Sequence, residues 1–254
     1  MLIGLDIGNS NTLTGIFLTG SKTPDYTFNF DTDSSAQAET LYETIIKKLD
    51  TLPESARKPE AFVFSSVVRE LNEKYKTVSE SLFKVPVVQV SHLSKLKISI
   101  RYDDPSTLGP DRITNAEAAF VEYGGGIVVD IGTALTVCAI DSDGVYLGGI
   151  ISPGPGTAAR ALALSTSLLP AITIEKTVKV TADNTIDAIR SGIYNGWAAM
   201  INGLVEKIKQ ENRITSKTVL TGGFGTLFRK DIIHDIHDPM LTMKGLKIIY
   251  DGNI

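Results

Sequence analysis

The sequence has a single cysteine, Cys138, a single tryptophan, and an aromatic content of only 7%. One cysteine excludes a disulfide framework and any multi-cysteine metal motif. Cys138 lies inside an apolar stretch, as a small buried hydrophobe in a reducing compartment would. No apolar run approaches the ~20 residues that span a bilayer, so no membrane partner is expected. An excess of positive charge is missing too. The 25 Lys+Arg stand against 29 Asp+Glu for a net charge of −4, which excludes general attraction to nucleic acid or anionic lipid. The N-terminus opens on an apolar strand with no basic segment or cleavage site, so no signal peptide and a cytoplasmic location are expected. What remains is 43% hydrophobic and 21% charged, ordinary for a globular protein. Its 254 residues suffice for one large domain or two of about 125.

What the sequence does contain is a repeat. Leu5-Asp6-Ile7-Gly8-Asn9-Ser10-Asn11-Thr12 returns 124 positions later as Val129-Asp130-Ile131-Gly132-Thr133-Ala134-Leu135-Thr136. The repeated positions are Asp6/Asp130, Ile7/Ile131, Gly8/Gly132 and Thr12/Thr136. Each copy lies between apolar runs, which reads as strand, tight turn, strand, with the acid at the end of the first strand. A half-chain offset is the mark of a duplicated two-domain protein. Glycine admits an anion close to the backbone, and successive N–H groups with Asn, Ser and Thr side chains hold phosphate oxygens. A carboxylate beside phosphates calls for a cation between them. Two facing turns of this kind would clamp a nucleotide polyphosphate; either copy alone reads equally well as a simple β-turn.

Elsewhere strand-like and helical patterns alternate, the pattern of an α/β fold. Leu2–Leu5, Leu13–Leu18 and Tyr26–Phe30 read as a meander, followed by a helix over about 36–49. Phe62–Val68 and Val85–Val90 read as buried strands, and 91–110 as a loop region of the kind that carries function. A helix over about 113–123 ends at Gly124-Gly125-Gly126, a C-cap and domain joint that divides the chain into 1–123 and 124–254. Ile127–Ile131, Thr136–Ile140 and Val145–Ile151 repeat the meander. Asn184, with Asp187 three residues on, opens a strong helix. Val219-Leu220 leads into Thr221-Gly222-Gly223, and Leu246–Tyr250 reads as a last short strand. His234 and His237, without a third ligand at a set spacing, read as solvent-facing rather than metal-binding.

These motifs resemble the superfamily of actin, sugar kinases and heat-shock ATPases, whose two ribonuclease-H-like halves close over ATP. Within it the chain looks most like the type III pantothenate kinases. The telling segment is Tyr102-Asp103-Asp104-Pro105-Ser106-Thr107-Leu108-Gly109-Pro110-Asp111-Arg112 with Asn115, joined by Gly148-Gly149-Ile150-Ile151-Ser152-Pro153-Gly154, Leu169-Pro170, Asn184-Thr185 and Ser191-Gly192. The departures are Ser10 for a threonine, Pro110 for a small residue, and Leu135 for a threonine of the second turn.

The resemblance implies duplicated ribonuclease-H-like domains with mixed central sheets flanked by helices. It also implies phosphorylation of pantothenate by ATP to 4′-phosphopantothenate, the first step of coenzyme A synthesis. Asp111 is the expected catalytic residue, accepting the proton of the attacking hydroxyl. Arg112 would grip the pantothenate carboxylate, with Tyr102, Gly109, Pro110 and Thr185 as further substrate contacts. Asp6, Ile7, Gly8, Asn9, Ser10, Asn11, Thr12, Leu13 and Thr133 would bind ATP, Asp6 also holding Mg²⁺ through water. Asp130 resembles the ligand of a monovalent cation, K⁺ or NH₄⁺, and Thr221-Gly222-Gly223 the adenosine turn. A homodimer is implied, the glycine-spaced helix from Asn184 to Glu211 offering an interface. The alternatives are a nucleotide-binding, non-catalytic accessory factor of the same family and another small-molecule kinase of the superfamily. An actin-like polymer subunit is disfavoured by the short chain.

Overall fold

The first apolar run, Leu2 to Leu5, is buried without a break in β1 (Leu2–Ile7), the central strand of a five-stranded sheet in a computed structural model that describes residues 1–254. β2 (Asn11–Phe17) and β3 (Tyr26–Asp31) continue from it antiparallel. α1 (Ala38–Leu49) turns Leu41, Ile45 and Leu49 to the core at helical spacing. β4 (Ala61–Ser66) then pairs with β1 in parallel and is buried at all six residues. α2 (Arg69–Thr77) and a π-helical turn over 78–83 lead to β5 (Val87–Gln89), parallel to β4. The order is β3-β2-β1-β4-β5. Position explains pattern: interior β4 is an unbroken Ala-Phe-Val-Phe run, whereas edge strand β3 alternates between half-buried and exposed residues. One face of this sheet forms a core of Ile3, Leu5, Ile7, Phe62 and Phe64 with Ile45, Leu71 and Tyr75.

β6 (Ser99–Ile100), the first strand in sequence of a second sheet, and α3 (Pro110–Tyr123) follow. There β7 (Gly126–Ile131), β8 (Ala134–Ile140) and β9 (Val145–Pro153) form an antiparallel meander. After α4 (Pro155–Ser165) and the long α5 (Thr185–Asn212), β10 (Thr218–Thr221) pairs with β7 in parallel. α6 (Gly225–Phe228) and β11 (Ile236–His237) follow, β11 parallel to β10. The order β9-β8-β7-β10-β11 repeats that of the first sheet, with β6 added beside β9. The expected duplicated ribonuclease-H-like architecture is thus present, strand for strand. Ile127, Val129, Ile131, Leu135 and Val137 pack on Tyr194, Ala198, Ile201 and Phe228 as its core. No helix is long and apolar enough to cross a membrane.

Two sequence readings are corrected. The last segment is not a strand but α7 (Leu241–Asn253), whose buried Leu241, Gly245, Leu246 and Ile249 follow a helical spacing. That helix belongs with the first sheet, and the division is not 1–123 and 124–254. One unit comprises Met1–Lys97, Asp103–Ala118 and Met240–Ile254; the other comprises Ile98–Tyr102 and Ala119–Pro239. The cause is packing: Gly4 and Gly15 leave room on the sheet, and Leu246 and Met243 of α7 fill it. α2 and α4 also went unforeseen, the first because its sequence, Arg-Glu-Leu-Asn-Glu-Lys-Tyr-Lys-Thr, turns only Leu71 and Tyr75 inward.

α7 meets α3 closely, since a Cβ on Gly245 would lie 2.1 Å from the Thr114 carbonyl oxygen. Gly245→Ala should therefore cost about 1–3 kcal/mol by forcing two helices apart. Gly203→Ala, in the interior of α5 with open space around it, should instead gain about 0.5–1 kcal/mol. Denaturant midpoints for both variants check this pair of opposite signs.

Candidate active site

In the first turn Asp6 pairs with Leu13 and Ile7 with Thr12, leaving Gly8, Asn9, Ser10 and Asn11 as the connection. The Gly8 N–H donates to the Asn11 carbonyl at 3.1 Å, and the Thr32 N–H donates to the Ser10 carbonyl at 3.0 Å. Asn9, Ser10 and Asn11 are exposed, their side chains presented to solvent. Ile7 is fully buried, and Thr12 lies beneath the turn with its hydroxyl 2.9 Å from that of Thr32. Leu13 and Asp6 are half-buried. The turn is thus a braced loop of exposed polar groups beside one carboxylate, a form suited to phosphate oxygens and a cation.

The second turn is one residue shorter. Asp130 pairs with Thr136 and Ile131 with Leu135, while the Gly132 N–H donates to the Ala134 carbonyl at 2.9 Å. The sequence alignment of Thr12 with Thr136 therefore does not hold in space. The counterpart of Thr12 is Leu135, fully buried on the core face, and Thr136 stands across from Asp130. At this place the first copy has the buried hydroxyl of Thr12 and the second an apolar side chain.

This turn is held from two sides. The Gly154 N–H and the Thr157 hydroxyl both donate to the Thr133 carbonyl, at 2.9 and 2.7 Å. A Cβ on Gly154 would lie 2.0 Å from the Gly132 carbonyl oxygen, so only glycine fits. The start of α4 is thereby tied to the turn through Gly154 and Thr157. On the other side Gly222, at φ +90°, lies so close to Asp130 that a Cβ would meet its Oδ1 at 2.3 Å. The Phe224 N–H donates to the Ile131 carbonyl at 2.9 Å. Thr133 is exposed, and Gly223 faces open space. Thr157 was missed by sequence reading; the Gly154-Pro155 pair, with proline at the first helical position, was its available signal.

The remaining candidate residues are distributed over both units. Tyr102 belongs with the second: β6 hydrogen-bonds along β9, and the Tyr102 ring stands edge-on to the buried Tyr146 at 6.1 Å. Gly109 to Arg112 belong with the first and open α3. Pro110 occupies the first helical position, where its missing N–H costs nothing. A Cβ on Gly109 would lie 2.4 Å from the Asp111 Oδ1. Glycine at 109 is what makes room for that carboxylate. Burial pushes the Asp111 carboxyl above the usual carboxylate range, opposed in part by the Arg112 backbone N–H and guanidinium. Arg112 is buried at 5% exposure. Asn115 is buried as well and accepts a hydrogen bond from the Thr242 hydroxyl of α7 at 2.8 Å, while the Glu117 carboxylate accepts from the Lys97 N–H at 2.9 Å.

At the start of α5 the Asn184 side chain accepts from the Asp187 N–H at 2.9 Å, as a cap does, and its amide donates to the Asp187 carboxylate at 2.8 Å, side chain to side chain. Thr185 is exposed beside it. Cys138 is buried as expected, 3.4 Å from the Tyr146 hydroxyl. The histidines are not freely solvated: His237 is half-buried on β11 against Gly225, and burial and the neighbouring His234 hold its pKa down. No group of three or more His, Cys, Asp or Glu side chains gathers as a metal site.

A model of the family described as type III pantothenate kinase matches residues 2–207. Among solved structures, the chain is similar to a conserved putative Baf family transcriptional activator from Campylobacter jejuni. That match has 22% identity and TM-score 0.63, covering 99% of this chain and 98% of that one. It is similar to the activator of 2-hydroxyisocaproyl-CoA dehydratase from Clostridium difficile with bound ADPNP, at 13% identity, TM-score 0.54, 98% of this chain and 93% of that one. A putative N-acetylglucosamine kinase from Porphyromonas gingivalis matches at 13% identity and TM-score 0.52, over 100% and 99% of the two chains. At such identities the structures speak for the fold alone.

Because burial raises the Asp111 carboxyl above its unfolded value, the folded protein binds that proton more tightly. The resulting stability is fully present below the unfolded pKa and is lost as pH rises through the raised one. Asp111→Asn never carries the charge, so its stability should rise relative to the wild type as pH increases above the ordinary aspartate value of about 4. Denaturant midpoints across that range test the sign; a difference that does not change with pH contradicts the burial of this charge.

Proposed function

Since the chain belongs to the type III pantothenate kinase family, we propose that it transfers the γ-phosphoryl group of ATP to the primary hydroxyl of pantothenate. The product is 4′-phosphopantothenate, which opens coenzyme A synthesis in the cytoplasm. The observation that carries this reading is the opening turn of α3, where Gly109 makes room for the raised carboxyl of Asp111 and a buried arginine follows it. Phosphoryl transfer has a loose transition state, so positioning and charge neutralisation do most of the catalysis. Asp111 accepts the hydroxyl proton, and its raised pKa makes it a better base near neutrality than an ordinary aspartate. Arg112 grips the pantothenate carboxylate with a directional, charge-assisted fork. Tyr102, Gly109, Pro110 and Thr185 complete the contacts to the acceptor.

Gly8, Asn9, Ser10 and Asn11 hold phosphate oxygens, with Ile7, Thr12 and Leu13 shaping the turn from below, and Thr133 contacts ATP from the second turn. Asp6, a half-buried carboxylate beside a polar turn, fits a hydrated divalent ion held through water. Mg²⁺ bound with ATP supplies neutralisation of the polyphosphate charge. Asp130 supplies the carboxylate that would hold a monovalent cation, K⁺ or NH₄⁺. A homodimer belongs to the same reading. Leu164, Leu168 and Ile186 are exposed at 86%, 89% and 45%, and Gly192 and Gly196 of α5 face open space.

The assay is ADP release with pantothenate as acceptor, with Na⁺, K⁺ and NH₄⁺ varied and glucose and N-acetylglucosamine as rival acceptors. Pantothenate should be required, and K⁺ or NH₄⁺ should support turnover where Na⁺ does not. A sugar that replaces pantothenate would move the chain to a different kinase reading. Asp111→Asn should lose about 10²–10⁴-fold in kcat and keep ATP binding. The acid limb of the wild-type profile should have its midpoint above the ordinary aspartate value of about 4. Turnover by Asp111→Asn at the wild-type rate would remove the residue from its role.

A further inference from the structure

Ser65, in β4, is fully buried, and its Oγ has no hydrogen-bond partner. An unpaired buried hydroxyl is costly, so its surroundings bear on what it is kept for. In the parallel pairing of β1 with β4, Ser65 is the register partner of Asp6. Partners in register share a sheet face, so the hydroxyl stands beside the carboxylate at the carboxyl ends of both strands. Ligands of open α/β sheets bind at that end. Lower on the same face, Gly4 and Gly15 are covered by Leu246 and Met243 of α7, and Asp6 and Ser65 lie further along, toward the strand ends. Thr14 provides the contrast. Its Oγ1 is also buried and unpaired, but it pairs with Leu5 on the opposite face, within the hydrophobic core.

The second unit repeats the arrangement. β7 pairs with β10 so that Asp130 has Thr221 as its parallel neighbour, and Thr221 too is buried. A hydroxyl residue therefore flanks the turn aspartate in both halves, although the two turns differ in length.

We propose that Ser65 is a positioning residue for Asp6. Its Oγ–H, which has no partner in the structure, would turn to donate to the Asp6 carboxylate, and its oxygen would accept from a water on the divalent ion that arrives with ATP. The proposal rests on the kinase reading above. Outer-shell partners of this kind set the orientation and basicity of a metal-bound carboxylate, and losing one typically costs about 10–100-fold in metal affinity.

The test is calorimetric titration of ATP into the wild type and into Ser65→Ala, Ser65→Cys and Ser65→Thr, once in excess Mg²⁺ and once in EDTA, with thermal unfolding of each variant alongside. Ser65→Ala should weaken binding about tenfold or more in Mg²⁺ and leave binding in EDTA unchanged. Ser65→Cys, similar in size but a poor hydrogen-bonder, should behave like Ser65→Ala, whereas Ser65→Thr should recover most of the Mg²⁺-dependent affinity. Equal losses with and without Mg²⁺, or no loss in either, would overturn the role of Ser65 and leave the kinase reading standing. A wild type that binds no ATP in either condition would overturn both.

Discussion

Everything near the site depends on how one strand is registered between two neighbours. β1 lies between antiparallel β2 and parallel β4, and β7 between antiparallel β8 and parallel β10. In each, the run of buried residues breaks at the aspartate and resumes at the isoleucine that follows. A carboxylate cannot be sunk into an apolar layer without a partner. The strand end, where the ladder opens into a turn, is the one place along β1 or β7 where it sits half in water and half against structure. Shifting either register by one residue would turn the aspartate into the core and an isoleucine toward solvent. The hydrophobic pattern therefore secures the position of the charge.

Duplication supplied the frame, and the two copies then diverged within it. The first turn keeps four connecting residues with exposed Asn9, Ser10 and Asn11. The second is one residue shorter and owes its shape to neighbours: Gly154 and Thr157 hold the Thr133 carbonyl, and Gly222 crowds Asp130. A long polar turn suits the charge-dense phosphates; a short, externally braced one suits fewer contacts and a single ion. Substrate identity comes from neither turn. The proposed acceptor site lies instead at the start of α3, where a glycine, a proline at the first helical position and two charged residues put an acid of raised pKa beside a buried guanidinium. A strained or desolvated group of this kind usually lowers stability where it raises activity.

How much of this could be read from sequence follows from the range of the forces involved. Strand-turn-strand units leave a local signature, so Asp6 to Thr12 and Asp130 to Thr136 stood out, as did the Asn184–Asp187 cap. The repeat also implied the architecture, since both halves had to bury the same face. α7 was misread because Leu246 to Tyr250 is a short, almost wholly apolar run, which does not separate strand from buried helix. The unit boundaries were missed because α7 returns to pack over Gly4 and Gly15, a pairing of the two chain ends that no local pattern records. Ser65 was invisible for a similar reason: a serine in an apolar strand means nothing until parallel pairing sets it beside Asp6. The one-residue difference between the turns likewise belongs to hydrogen bonding, and a residue-by-residue alignment conceals it.

The central claim is that this doubled frame moves phosphate from ATP to the acid held at Asp111 and Arg112. The direct measurement is a ³¹P NMR time course of ATP with Mg²⁺, K⁺ and the protein, with and without pantothenate. A new phosphomonoester resonance should grow in step with ADP only when pantothenate is present. Inorganic phosphate released at the same rate in both samples, or no change in either, would contradict it.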